Sequence, residues 1–262
     1  MGSGITVACE WPVLYSEEEY MTVYNAMTNK PSSSVATAQN TFVKALVDGS
    51  VWTKMDVLYL FAQENNNAGE ALINWKNPGT YNATLSGTSV PTFASLEGFT
   101  GQGGNSIITT GWIPSSHASN YTLNSASIGA YLRIDQSNTI QVFSAAGDYS
   151  SYLVPRNGTS ATAKLNCTNT QDFATVADSL GLFTISREDS SYVDIFKRGS
   201  FVNDLTCASA GLPTAELTFI GSSTNQISFG FAGSKFSEAE VTIIYNVIIV
   251  PYLKIKIAIY LK

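Results

Sequence analysis

The stretch FTISREDSSYVDIFKRGSFVND, Phe183 to Asp204, decides how the rest of the chain is read. Apolar and polar residues alternate in it twice, on either side of a polar break at Glu188-Asp189-Ser190-Ser191, and Lys197-Arg198-Gly199 then reads as a tight turn. Period-two alternation places successive side chains on opposite faces of a strand, so the segment is a pair of β-strands followed by a third. Its charges, Arg187, Glu188, Asp189, Asp194, Lys197 and Arg198, could belong to an active site or to a solvated rim. Adjacent Glu188 and Asp189 point in opposite directions if extended, and Asp194 stands on a separate strand beside Tyr192 and Phe196. That arrangement predicts the rim, with Gly199 supplying a positive φ in the turn.

Outward from this segment, the same period holds from about Val57 to Ser234, in runs such as NSIITTGW, ASIGAYLRID, SSYLVPRNG, AELTFIG and NQISFGFAG punctuated by Gly, Asn, Ser and Pro. About ten strands at that spacing imply a sandwich or barrel. The ends read as helical. Ser16-Glu17-Glu18-Glu19 has the form of a capping box before Tyr20, Val23, Tyr24 and Met27, and Pro31 with Ser32-Ser33-Ser34 is expected to break that helix. A second helix is expected around Phe42, Val43, Leu46 and Val47, ending at Asp48-Gly49, and one helical turn within Asp172 to Leu180. Ser237-Glu238-Ala239-Glu240 is another capping box, leading Val241, Ile244, Tyr245 and Ile248 along one helical face. Past Pro251, YLKIKIAIYLK alternates again, with Ile255, Ile257, Ile259 and Leu261 on one face and Lys254 and Lys256 on the other. Lys254, Ile255, Ile257 and Ile259 are therefore expected to mediate self-association in a homo-oligomer. The resulting division is a helical lead-in over residues 1–54, a sandwich over 55–235, and a helix with a strand-like tail over 236–262.

Of the 262 residues, 44% are hydrophobic and only 13% charged, with a net charge of −6. That balance is enough for a sizeable core and gives no basic footprint, which excludes nucleic acid and anionic membrane surfaces as partners. Asn246, Pro251, Lys254 and Lys256 interrupt the apolar run near the C-terminus, so no membrane span is expected there. Met1 to Glu10 is short and mixed and does not read as a secretory signal. Three widely spaced cysteines, Cys9, Cys167 and Cys207, exclude a disulfide-dense scaffold and lack metal-ligand spacing, while a Cys167–Cys207 bridge stays open.

Between Phe93 and Asn246 the segments GFTGQGGNSIITTGW, NSASIGAYLRID, SREDSSYVDIFKRGSFVND and QISFGFAGSKFSEAEVTIIYN resemble the concanavalin A-like, laminin-G-like jelly roll. The wider layout, with PSSSVATAQNTFVKALVDGSVWTKMDVLYLFA followed by ALINWKNPGTYNATL, is similar to virion structural proteins of tailed phages, notably the crAss-like phages that infect Bacteroidetes. The resemblance implies a mostly β jelly-roll sandwich with N-terminal helices and a C-terminal helix. It also implies a non-enzymatic place in a virion, as a decoration, fibre or tail component, among other virion proteins and in contact with surface glycans.

Hydrolases of this fold carry an E-x-D-x-x-E string, and no segment here matches it; paired acids about 5–5.5 Å or about 6.5–9.5 Å apart are what such chemistry needs. His117, in PSSHASNYT, has no nucleophile elbow or flanking acid and reads as a solvated loop residue. GFTGQGGNS lacks the Lys-Ser/Thr ending of a phosphate loop and reads as a glycine-supported turn between two strands. No cofactor is expected, except that laminin-G-like sandwiches bind calcium at a rim, for which Asp148 and Asp189 are the candidate ligands. Trp112 and Tyr149 are the candidate aromatics for stacking on sugar rings. The expected function is thus a virion structural protein, with a lectin-like carbohydrate-binding module as the alternative and a glycan hydrolase behind both.

Overall fold

The computed structural model describes residues 16–169, 171–173 and 176–248. Two antiparallel sheets stack face to face. The larger runs in the order β13 (Ser200–Thr206), β12 (Tyr192–Lys197), β11 (Gly181–Arg187), β6 (Ala126–Leu132), β15 (Gln226–Gly233), β4 (Gly98–Thr100) and β3 (Thr92–Ala94), with β1 (Met55–Leu60) also paired to β15. The smaller runs β10 (Gln171–Phe173), β9 (Ser160–Lys164), β8 (Ser151–Asn157), β7 (Phe143–Ala145), β14 (Leu217–Phe219), β5 (Ile107–Thr109) and β2 (Thr84–Ser86). These fifteen strands exceed the ten expected, because several are only three residues long and fall below what period-two patterning can register.

Helices cover the outer face of the larger sheet. They are α1 (Glu18–Ala26), α2 (Ser33–Asp48) and, after the short α3 (Pro114–His117) at the loops, α4 over residues 238–248. The sheet therefore has two apolar faces. In β1 and the residue after it, Val57, Tyr59 and Phe61 enter the core between the sheets while Leu58 and Leu60 enter the core beneath the helices. Burial on both faces leaves no exposed residue along β11 or β15, the serines, threonine and arginine of these strands included. Phe42 of α2 meets Trp75 and Phe229 edge-on, with ring centroids 5.9 and 5.8 Å apart, and so fixes α2 on the sheet. Gly129 and Gly230 lie inside strands where a Cβ would stand 2.4 Å from the Phe231 ring and 2.6 Å from the Phe219 ring, respectively. Missing side chains there make room for aromatic ones.

Local chemistry departs from expectation at three helix signals. Glu17, not Ser16, is the N-cap of α1 and makes no side-chain cap bond. The helical region is interrupted over residues 27–32, which include Pro31 and Ser32, but the serine run does not end α1, which stops earlier, at Ala26. The run instead starts α2, with Ser32 as N-cap, because serine favours a helix start as readily as a turn. The segment expected to hold a helical turn contains β10 instead. The second capping box forms as expected: Ser237 N–H donates to Glu240 Oε2 at 2.9 Å, and Glu240 N–H to Ser237 Oγ at 3.4 Å. The glycine-rich stretch is a connection between β4 and β5, which belong to different sheets. Lys254, Ile255, Ile257 and Ile259 lie outside the described residues.

The β12–β13 hairpin turns on Arg198 (φ 53°) and Gly199 (φ 86°), two successive left-handed residues of the kind a two-residue hairpin requires. A Cβ on Gly199 would also come within 3.2 Å of Tyr245. Gly199→Val should therefore cost about 1 kcal/mol or more, measured by urea unfolding. Glu188 is exposed and pairs with Lys235 at 3.3 Å across two largely solvated side chains, so Glu188→Gln should stay within about 0.5 kcal/mol of wild type. The opposite order of effects would return Glu188 to consideration as a functional acid.

Candidate functional site

Antiparallel register brings distant parts of the sequence together at one end of the larger sheet. Gly181 pairs with Leu132 and Leu182 with Tyr131, and the Arg198 N–H donates to Leu182 O at 2.7 Å, which draws the hairpin turn onto the same end. Tyr131, Leu132, Arg133, Leu180, Gly181 and Arg198 together line an open cleft of about 290 Å³. Gly181 (φ 93°) lies against the stem of Arg198, whose Cγ would be 2.8 Å from an added Cβ. The missing side chain lets the arginine lie along the cleft.

Charge in the cleft is arranged rather than neutralised. Asp178 Oδ1 accepts from Lys197 Nζ at 3.0 Å, Arg198 Nη2 at 2.7 Å and the Leu180 N–H at 2.8 Å. Burial opposes the charge of Asp178, but these donors outweigh it and hold the carboxyl below its ordinary value. Arg133 Nη2 stands 4.0 Å from Glu97 Oε1. Arg133 and Arg198 line the cleft itself, while Asp178 and Glu97 stand beside it and orient the two guanidinium groups. Burial, with help from Tyr245, pushes the Tyr131 hydroxyl up, against the opposing effect of Arg133 and Arg198, so it stays protonated as a donor at neutral pH. A phenol and two guanidinium forks present many directed donors to a polyhydroxylated or anionic ligand.

The residues singled out from the sequence lie elsewhere. Trp112 is 1% exposed, within the core between the sheets, its ring edge-on to Tyr121 at 5.7 Å. It is no stacking platform, and the correction follows from burying a large aromatic in the β-sandwich core. Tyr149 is half-buried, and its ring covers Gly211, where an added Cβ would be 2.1 Å from Cδ2. His117 is not a solvated loop residue: its Nδ1 accepts the Ile113 N–H at 3.0 Å and its ring stacks on Tyr81 at 4.7 Å. Asp148 is exposed, and Asp189 Oδ1 accepts the Ser191 and Tyr192 N–H groups at 2.6 and 2.9 Å, closing the β11–β12 turn. A calcium ion needs six to eight oxygens. Among the described residues no three acidic, histidine or cysteine side chains converge on a point.

Arg187, expected on the rim, is fully buried. It donates to the carbonyls of Leu165, Cys207 and Asp189, and Cys167 and Cys207 form a disulfide beside it. Its environment lowers the guanidinium pKa by desolvation without removing the charge.

Two stacked antiparallel sheets in this order make the chain a β-sandwich with a jelly-roll-like fold. No protein-family description matches the sequence, and no curated protein does. Solved structures do match. The botulinum neurotoxin serotype D binding domain superposes with a TM-score of 0.57 at 13% identity, over 77% of this chain and 53% of that one. The serotype D ligand-binding domain in complex with N-acetylneuraminic acid gives 0.56 at 12%, over 77% and 53%. The serotype DC binding domain in complex with rat synaptotagmin II gives 0.53 at 15%, over 75% and 52%. The chain thus spans about half the length of the domains it matches, and at such identities the likeness is one of fold.

Proposed function

We propose that the chain is a non-enzymatic, lectin-like carbohydrate-binding module whose ligand enters the cleft between Tyr131, Arg133 and Arg198. The observation that carries this reading is the cleft itself: an open, ligand-sized concavity lined by Tyr131 and two arginines, Arg133 and Arg198. The fold supports it, since one solved neighbour holds N-acetylneuraminic acid and another is in complex with rat synaptotagmin II, and both are binding domains by description. Display on a tailed-phage virion, beside other virion proteins and facing surface glycans, rests on the sequence resemblance.

Glycan-array screening followed by calorimetry tests the reading. Arg133→Gln and Arg198→Gln should each weaken the best ligand about tenfold or more, in line with loss of a charged hydrogen bond, while Tyr149→Ala should leave affinity unchanged. Absence of any glycan ligand, or equal affinity in the Arg133→Gln/Arg198→Gln double variant, would overturn the assignment. Sugar release from polysaccharide that persists through purification and disappears on mutating one carboxylate would restore the hydrolase.

A further inference from the structure

The long helices α1, α2 and α4 pack on the larger sheet and leave the outer face of the smaller one to solvent. Across that face antiparallel register sets side chains of six neighbouring strands in one row. Thr84 of β2 stands opposite Thr109 of β5, Thr109 opposite Thr218 of β14, and Thr218 opposite Ser144 of β7. Ser144 in turn faces Tyr152 of β8, and Tyr152 faces Lys164 of β9. Their chain neighbours Ile108, Phe219, Phe143, Leu153 and Ala163 enter the core between the sheets, so the row points away from it. At about 4.8 Å per strand it runs for about 24 Å.

Hydroxyls make up most of the row. Thr84 and Thr109 share a hydrogen bond at 2.7 Å, and Ser144 and Thr218 another at 3.1 Å. A hydroxyl offers one donor and two acceptor positions, so each pair keeps unused positions for a ligand, on threonine side chains that are stiff at χ1. The end of the row supplies an independent sign that something binds there. Lys164 is only 9% exposed, yet its ammonium makes no hydrogen bond or ion pair among the described residues. Burial holds its pKa below the ordinary lysine value. An ammonium has three donors and no acceptor, so burying it unpaired costs stability that a bound oxygen acceptor would offset.

The chemistry of the face selects the ligand. Asp172 of β10 accepts the Thr162 hydroxyl at 2.7 Å, two residues from Lys164, and Glu216, two residues before Thr218, accepts the Gly111 N–H at 2.6 Å. One cation beside two carboxylates, on a chain of net charge −6, disfavours a polyanion. None of the five exposed large apolar side chains among the described residues belongs to the row, so it lacks the anchors on which protein partners depend. Hydroxyls, one tyrosine ring and an ammonium in want of acceptors instead match the hydroxyls, ring oxygens and ring faces of sugars. We propose that the outer face of the smaller sheet is a second binding site, separate from the cleft, on which a neutral, extended polysaccharide lies across the strands from Thr84 to Lys164.

Electrophoresis of the full chain through native gels containing xylan, galactomannan or mixed-linkage β-glucan, with polygalacturonate as the acidic comparison, tests this. Wild type should be retarded by at least one of the neutral polymers. Tyr152→Ala, Thr109→Val/Thr218→Val and Lys164→Met should each weaken that binding about tenfold or more, with circular dichroism checking that each keeps its sheets. The Arg133→Gln/Arg198→Gln variant should be retarded as wild type is, so failure of the cleft and failure of this face are told apart. Urea unfolding adds a readout that a structural lysine would move the other way: Lys164→Met should keep or raise the midpoint, because it removes an unpaired buried charge and retains the apolar stem. No retardation by any neutral polymer, tighter binding to polygalacturonate, unchanged binding by Lys164→Met, or a lowered midpoint in that variant would overturn the proposal.

Discussion

Arg187→Ala is expected to lower the unfolding free energy by about 3–5 kcal/mol, read from the urea midpoint at constant slope. The guanidinium is buried with no carboxylate partner among the described residues, and its donors satisfy Leu165 O with both Nε (3.1 Å) and Nη2 (2.7 Å), Cys207 O with Nη2, and Asp189 O with Nη1 (3.1 Å). Those carbonyls come from three connections: the end of β9, the exit of β13 and the β11–β12 turn. Removing the fork strands buried acceptors, each costing about 1–3 kcal/mol, and leaves a cavity where a large side chain stood. Arg187→Lys should recover less than half of the loss, because an ammonium cannot reproduce a planar set of donors aimed at separate carbonyls. A change under about 1 kcal/mol for the alanine variant would show that water replaces the guanidinium there.

Position 187 also shows what a strand pattern hides. The sandwich itself was legible, since alternation, turn residues and one correctly read capping box are local properties of adjacent residues. The turn at Arg198-Gly199 was legible for the same reason. Charge, by contrast, predicts exposure only on average, and β11 places its last side chain between the sheet edges, where three carbonyls outcompete solvent. Helical signals failed where one residue type serves two ends: Ser32 caps α2 although serine runs also end helices.

The cleft was not legible. Tyr131 and Arg133 read as ordinary members of a strand, Arg198 as a turn residue and Gly181 as punctuation, because no spacing in the sequence connects them. They meet through the register of β6 with β11 and the return of the β12–β13 hairpin, a product of pairing over about fifty to seventy residues. Trp112 misled in the opposite sense: an aromatic near the loops suggests a platform for sugar rings, yet its loop carries it into the core between the sheets.

Loss of the Cys167–Cys207 bond, by reduction or by Cys167→Ser/Cys207→Ser, is expected to cost about 3–4 kcal/mol. The bridge joins residues 40 apart in sequence, a loop for which unfolded-state entropy gives a value between the roughly 3 kcal/mol of a 15-residue loop and the roughly 4.7 kcal/mol of a 100-residue one. Its place raises its structural weight. Cys167 follows β9 of the smaller sheet and Cys207 follows β13 of the larger, so the bond clamps the two sheet edges that meet beside Arg187. Because Arg187 also holds the Cys207 carbonyl, the two devices restrain one segment, and their losses should not add. Combining Arg187→Ala with Cys167→Ser/Cys207→Ser should fall short of the sum by about 0.5–3 kcal/mol, since a segment freed by either change has less order left to lose. Denaturation with and without reductant, run on wild type and on Arg187→Ala, measures both quantities. An unchanged midpoint in reductant would remove the clamp, and strict additivity would place the arginine and the disulfide in independent units.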